Sequence, residues 1–178
     1  KKAYAKATRK QYDQQDEIYG KTVIQRHGKQ MLVQNPPALS LTQEELDAVY
    51  QLPFQRKPHP MYDAQGGVPG IAEVQFSIAH NRGCFGYCNF CSIALHQGRR
   101  VTCRSEESIL KEAKQITEMP NFKGYIHDVG GPTANFRAPS CKKQLTKGLC
   151  KGKKCLAPEI CPAIHADHSE YLHILRQL

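Results

Sequence analysis

Val74, Phe76 and Ile78 alternate with Gln75, Ser77 and Ala79 in "IAEVQFSIAH", and a period of two predicts a strand there. Further on the period changes. Ile109, Ala113, Ile116 and Met119 recur at helical spacing. Ser105 suits the N-cap, Glu106 and Glu107 suit the positive end of the helix dipole, and Pro120 ends the run. "FKGYIHDV" then predicts a second strand, closed by "GGPT". Strand, loop, helix and strand make one βαβ unit, expected to be parallel and right-handed.

The flanking stretches read differently. Residues 1–52 form a lead-in of mixed α and β character. It holds a weak helix in the first twenty residues, then strands over Thr22–Gln25 and Gln30–Val33 with a turn at His27-Gly28. A short helix follows, and Thr42 and Glu45 have the spacing of a capping box at its start. Residues 53–70 carry four prolines and three glycines and predict an extended linker. Residues 71–135 hold the βαβ unit, and residues 136–165 a loop rich in cysteine and lysine. Residues 166–178 begin a helix that Asp167 or Ser169 can cap, with Leu172, Leu175 and Leu178 near one face. The fold class is α/β. A two-stranded parallel sheet buries little on its own, so the unit is expected to open a larger α/β domain.

Composition adds two things. The formal charge is +9, from 25 basic and 16 acidic residues, which favours anionic partners and leaves nucleic acid an admissible one. No apolar run approaches the roughly 20 residues that span a bilayer, so no membrane partner is expected. "KKAYAKATRK" has no apolar stretch behind its charges and does not read as a secretory signal. The absence of an initiator Met suggests that the chain was cut from something longer. Eight cysteines without an export signal point to the cytoplasm, where clustered thiols are more often metal ligands than disulfides.

Three of those cysteines lie within eight residues of "NRGCFGYCNFCSI": Cys84, Cys88 and Cys91. Thiolates suit zinc and iron–sulfur clusters. Structural zinc takes four closed ligands, so a zinc site here would need His80 or His96 as well. A cubane cluster held by three cysteines keeps one iron open, and an open position marks a metal that does chemistry. The loop follows a strand and precedes a helix, at the strand end where α/β folds place their sites.

C-x3-C-x2-C with Phe90 just before the last cysteine resembles the signature of the radical SAM superfamily. The stretches "VQNPPALSLTQEELDAVYQLPF", "FSIAHNRGCFGYCNFCSI", "DVGGPTANF" and "ADHSEYL" resemble the YgiQ-like family within it. The resemblance implies a 4Fe–4S cluster on Cys84, Cys88 and Cys91 and S-adenosylmethionine on the open iron. A one-electron donor would drive reductive cleavage to a 5′-deoxyadenosyl radical, which attacks an unassigned substrate. It implies that Phe90 flanks the adenine, that Gly83 and Gly86 let the loop wind round the cluster, and that Gly130 and Gly131 contact the methionine end. Pro132 stands where an acidic residue usually follows the paired glycines. The βαβ unit would open a partial (β/α)6 barrel, and the chain would be an internal fragment, inactive by itself. No catalytic residue is assigned.

A second group, Cys141, Cys150, Cys155 and Cys161, suggests a knuckle around a metal, either zinc or an auxiliary iron–sulfur cluster. Six lysines between Cys141 and Cys155 would soften the charge of such a centre, or grip phosphates. The competing class of function is therefore a non-enzymatic, zinc-stabilised module that binds nucleic acid. Cys103 reads as a packed residue, His127 as a core histidine, and Arg99 and Arg100 as surface residues.

Overall fold

A computed structural model describes residues 1–131 and 133–178; Pro132 lies outside the described residues. The chain divides into two compact units, each gathered from three separate stretches.

One unit comprises residues 1–40, 83–102 and 138–166. It opens with a helix over Lys2–Asp13, which buries no residue and carries an exposed i,i+4 pair between Arg9 and Asp13. Such a pair adds only a few tenths of a kcal/mol, about 0.3–0.5. Val23–His27 and Gln30–Gln34 pair antiparallel, with Val23 opposite Gln34 and His27 opposite Gln30. The first strand therefore runs two residues beyond the reading from sequence. The turn falls on Gly28-Lys29, where Gly28 takes φ +62° at no steric cost.

Asp16 organises this unit. It is 3% exposed. Its Oδ1 accepts the amides of Ile18 and Tyr19 at 2.8 and 2.9 Å, and its Oδ2 accepts that of Leu149 at 2.7 Å. A carboxylate spent on three amides satisfies donors that no ladder reaches. Gly148 must be glycine for this to happen, because a Cβ there would lie 2.4 Å from Asp16 Oδ1. Glu17 accepts the Ser40 amide at 2.6 Å and pairs with Arg100 at 2.5 Å.

The other unit comprises residues 41–82, 103–137 and 167–178. The helix Gln43–Tyr50 starts at a full capping box, with Thr42 and Glu45 each accepting the other's backbone amide. Within the proline-rich stretch a 3-10 helix forms over Pro60–Gln65. Ser77–Ala79 and Asp128–Gly130 pair in parallel, Ile78 opposite Val129, so the predicted parallel pair is present. Both strands are shorter than the sequence pattern suggests. Ile71–Val74 coils into a helical turn, which leaves Val74 58% exposed while Phe76 and Ile78 face the core. Gly124, at φ +97°, interrupts the second run.

The helix Glu106–Thr117 is capped by Ser105, whose Oγ accepts the Ser108 amide at 3.1 Å. It lays Ile109, Ala113 and Ile116 against Phe76, Ile78 and Ile174, with Met119, Phe122, Ile126 and Val129 at the margin. Fully burying side chains of this size contributes about 1.5–3 kcal/mol each. The final helix, Ser169–Gln177, contributes Ile174 to this core. The expected leucine face is instead half exposed, because the inward direction is set by Ile174 together with Tyr171, whose hydroxyl donates to Val129 O at 2.6 Å.

Candidate metal centre

Gly83 begins the cysteine loop in a conformation that only glycine tolerates there. Its φ is +83°, and a Cβ would come within 1.9 Å of the Arg100 carbonyl oxygen. The loop folds back on residues 97–100: Gly83 N–H donates to Gln97 Oε1 at 3.3 Å and Cys84 N–H to Gly98 O at 3.1 Å. Phe85 is fully buried and fixes the loop from below. Between Cys88 and Cys91 a single turn closes through Cys91 N–H and Cys88 O at 3.1 Å. Tyr87 holds φ +49°, a strained value for a bulky residue, and lies beneath the Arg99 guanidinium at 4.6 Å.

All three thiols are free; Cys84 and Cys91 are half-buried and Cys88 is exposed. Gly86 sits between two of them: a Cβ there would meet Cys84 Sγ at 3.3 Å and Cys88 Sγ at 3.7 Å. Cys88 and Cys91 line a cavity of about 250 Å³ with Tyr12, Tyr87, Arg99 and Cys150. Among the described residues no three His, Cys, Asp or Glu side chains converge tightly enough for one metal ion. Three thiols are one ligand short of a closed structural zinc site and match a cluster in which each cysteine holds a different iron, so the residues present fit an iron–sulfur cluster.

The proposed fourth zinc ligands do not help zinc either. His96 is exposed. His80 belongs to the other unit, is fully buried, and stacks on Tyr171 at 4.8 Å. Its Nδ1 lies 3.4 Å from Arg137 Nη1. Burial, then the Arg137 charge, push its pKa down to about 4.

Phe90 is 93% exposed, which leaves its ring free for a stacking partner. In the other unit Gly130 is buried and its carbonyl accepts the His80 amide at 3.1 Å. Gly131 N–H donates to Asn135 Oδ1 at 3.1 Å. A Cβ on Gly130 would lie 3.0 Å from the Asn135 amide group, so both glycines are held by Asn135.

Other residues depart from expectation. His127 is exposed, its Nδ1 3.4 Å from Glu73 O, because the strand that was to bury it starts one residue later. Arg99 and Arg100 are half-buried: Arg99 donates to Lys153 O at 3.2 Å, and Arg100 pairs with Glu17. Cys103 is packed as expected, 7% exposed, with burial raising its thiol to about 11.

Sequence reasoning missed the buried charges under the end of the first parallel strand. Arg104 is 1% exposed and donates to Ala79 O and Ser108 O, both at 2.9 Å, and to Glu112. Glu112 also pairs with Arg56. The Tyr50 ring covers the Arg104 guanidinium at 4.1 Å. Arg137 donates to Arg104 O at 2.7 Å and to Glu170 at 2.5 Å. One signal was there: Glu112 lies on the same helical stripe as Ile109, Ala113 and Ile116, and an acid on an apolar stripe must be paired.

Comparison with known proteins shows what the chain is similar to. Residues 1–77 match the family model for the radical SAM N-terminal region and so are similar to that region. Over all 178 residues it is 54% identical to a UPF0313 protein of Clostridium perfringens (strain ATCC 13124) and 55% identical to one of Clostridium botulinum (strain Okra). It spans 27% and 28% of the lengths of those relatives. No solved structure matches significantly. The family-model match ends at residue 77, before the triplet, and so is independent of the cysteine spacing. None of the helices described is long and apolar enough to cross a membrane.

Proposed function

We propose that the chain is part of a radical SAM enzyme and that Cys84, Cys88 and Cys91 hold a 4Fe–4S cluster through three of its irons. When bound, the cluster would supply the electron that splits S-adenosylmethionine and so delivers a 5′-deoxyadenosyl radical to a substrate. The observation that carries this reading is the gathering of the thiols: Cys84 Sγ and Cys88 Sγ lie 3.3 and 3.7 Å from the Cβ position of Gly86, and Cys88 and Cys91 line a cavity of about 250 Å³. The chain's own residues have definite tasks. The three thiols must be deprotonated to bind iron. Gly86 keeps the space between two sulfurs clear, and Gly83 turns the loop back on Arg100. Phe90 offers its exposed ring to the adenine.

The test is anaerobic reconstitution, with iron and sulfide, of the full-length enzyme of which the chain is a part. We expect a brown protein with broad visible absorption, about four irons per triplet, and release of 5′-deoxyadenosine from S-adenosylmethionine on reduction. Cys88→Ala should lose both the nucleoside and the open-iron spectrum. A protein that reconstitutes to the same spectrum and turnover with Cys88→Ala would falsify the assignment.

A further inference from the structure

Residues 138–166 raise a question that the triplet does not answer: what holds them folded. Their regular structure is one helical turn, Lys143–Thr146. The buried residues among them are Ser140, Gln144 and Gly148, none of them a large apolar side chain. Leu145 is 49% exposed and Ile160 69%. A segment of this length with no apolar core needs a staple, either disulfides or a metal. Its four cysteines are all free.

Those cysteines, though separated by eight, four and five intervening residues, all line one small cavity. Cys141, Cys150, Cys155 and Cys161 meet round a space of about 20 Å³, room for roughly one atom-sized guest. Backbone contacts bring the segment's far ends together there: Cys161 N–H donates to Cys155 O at 2.9 Å, and His165 N–H to Ser140 O at 2.7 Å. Two of the sulfurs already have polar neighbours of the kind that surround metal-bound thiolates. Lys143 Nζ lies 3.1 Å from Cys150 Sγ, and the buried Ser140 Oγ 3.3 Å from Cys155 Sγ. Four thiolates around a divalent centre leave two negative charges in excess, and Lys143, Lys153 and Lys154 line the same cavity. The thiols do not yet stand at ligand distance from a common point. In each cysteine the sulfur is the first atom past Cβ, so its position turns with χ1.

We infer that Cys141, Cys150, Cys155 and Cys161 form a second metal centre, a closed four-thiolate site for a soft metal that braces residues 138–166. It differs from the triplet in kind. Four protein ligands leave no open position, so its task is structural rather than catalytic. The shared chemistry is thiolate ligation, which serves a single zinc ion or a ligated iron–sulfur cluster alike.

The two sources separate in a variant that lacks the triplet, Cys84→Ala with Cys88→Ala and Cys91→Ala, purified without oxygen and analysed for zinc, iron and sulfide. About one zinc per chain in a colourless protein supports the inference with zinc, and about four irons with sulfide supports it with a cluster. In either case the four thiols should alkylate at least ten-fold more slowly than after chelation. A variant that takes up neither zinc nor iron and sulfide, with four fast-reacting thiols or two disulfides, overturns it. Should the triple variant fail to fold, Cys155→His and Cys155→Ala in the otherwise unaltered protein decide. A metal site keeps part of its zinc with histidine and loses it with alanine, whereas a packing role gives equal metal content in both.

Discussion

Gly83 and His80 lie within four residues of each other and constrain the chain by different physics. At Gly83 the constraint is steric: a positive φ and a carbonyl oxygen 1.9 Å from where a Cβ would sit. Gly83→Ala should cost more than about 2 kcal/mol, read as a lower denaturant midpoint, because backbone rather than a flexible side chain must move. At His80 it is electrostatic. Burial and Arg137 hold the imidazole neutral down to about pH 4, whereas the unfolded chain takes up its proton near pH 6.5. Below about 6.5 the unfolded state binds more protons, so stability must fall with pH. The contribution is complete above 6.5 and is lost on acidification towards 4. A thermal-melting series from pH 8 to 4 should show that fall, and His80→Gln should flatten it. A series with the same slope in both proteins removes His80 as the source.

Between the parallel strand and the helix that covers it, the decisive contact is ionic. Glu112 accepts from Arg104 and Arg56, and Arg104 in turn ties Ala79, at the strand end, to Ser108, at the helix start. Glu112→Gln leaves two guanidinium groups without a carboxylate, one of them 1% exposed, and should destabilise by about 3–5 kcal/mol in urea unfolding. Glu112→Leu with Arg104→Met should recover much of that, since apolar isosteres often replace buried ion pairs without loss. The covering helix is legible in the sequence alone, from Ser105 to Ile116, because its cap and its stripe are local signals. The strands are legible only as to place and direction. Their lengths depend on Gly124 and on the helical turn at Ile71–Val74, where backbone geometry overrides an alternating pattern. The final helix is mis-aimed by its pattern because three leucines outweigh one isoleucine there, while Tyr171 and Ile174 set the direction in the fold.

At the scale of the whole molecule, family resemblance is more legible in the sequence than architecture. The triplet stands out by its spacing, and the family model matches a different stretch, residues 1–77. That the first forty residues belong in one compact unit with residues 138–166 is illegible in the sequence. The contact is made by Asp16 with backbone amides and by the space at Gly148, and neither leaves a pattern along the chain. The buried charges are hidden for a related reason: Arg104 and Arg137 each bond in part to backbone carbonyl oxygens, which leave no pattern in the sequence. If the second cysteine group is braced by metal, chelation should open residues 138–166 first. Limited proteolysis after metal removal should cut there at least ten-fold faster, with the helix Glu106–Thr117 still protected; equal cutting rates with and without chelator would count against the brace.

The threading of the chain through both units has a consequence for how it is born. A ribosome delivers residues 1–40 long before 138–166, a delay of roughly ten seconds at common elongation rates. Throughout that interval the Asp16 carboxylate has no Leu149 amide to receive, and residues 1–40 lack the later stretches of their unit. Nascent chains of this kind should lean on holdase chaperones, and slowing translation should lower their yield rather than raise it.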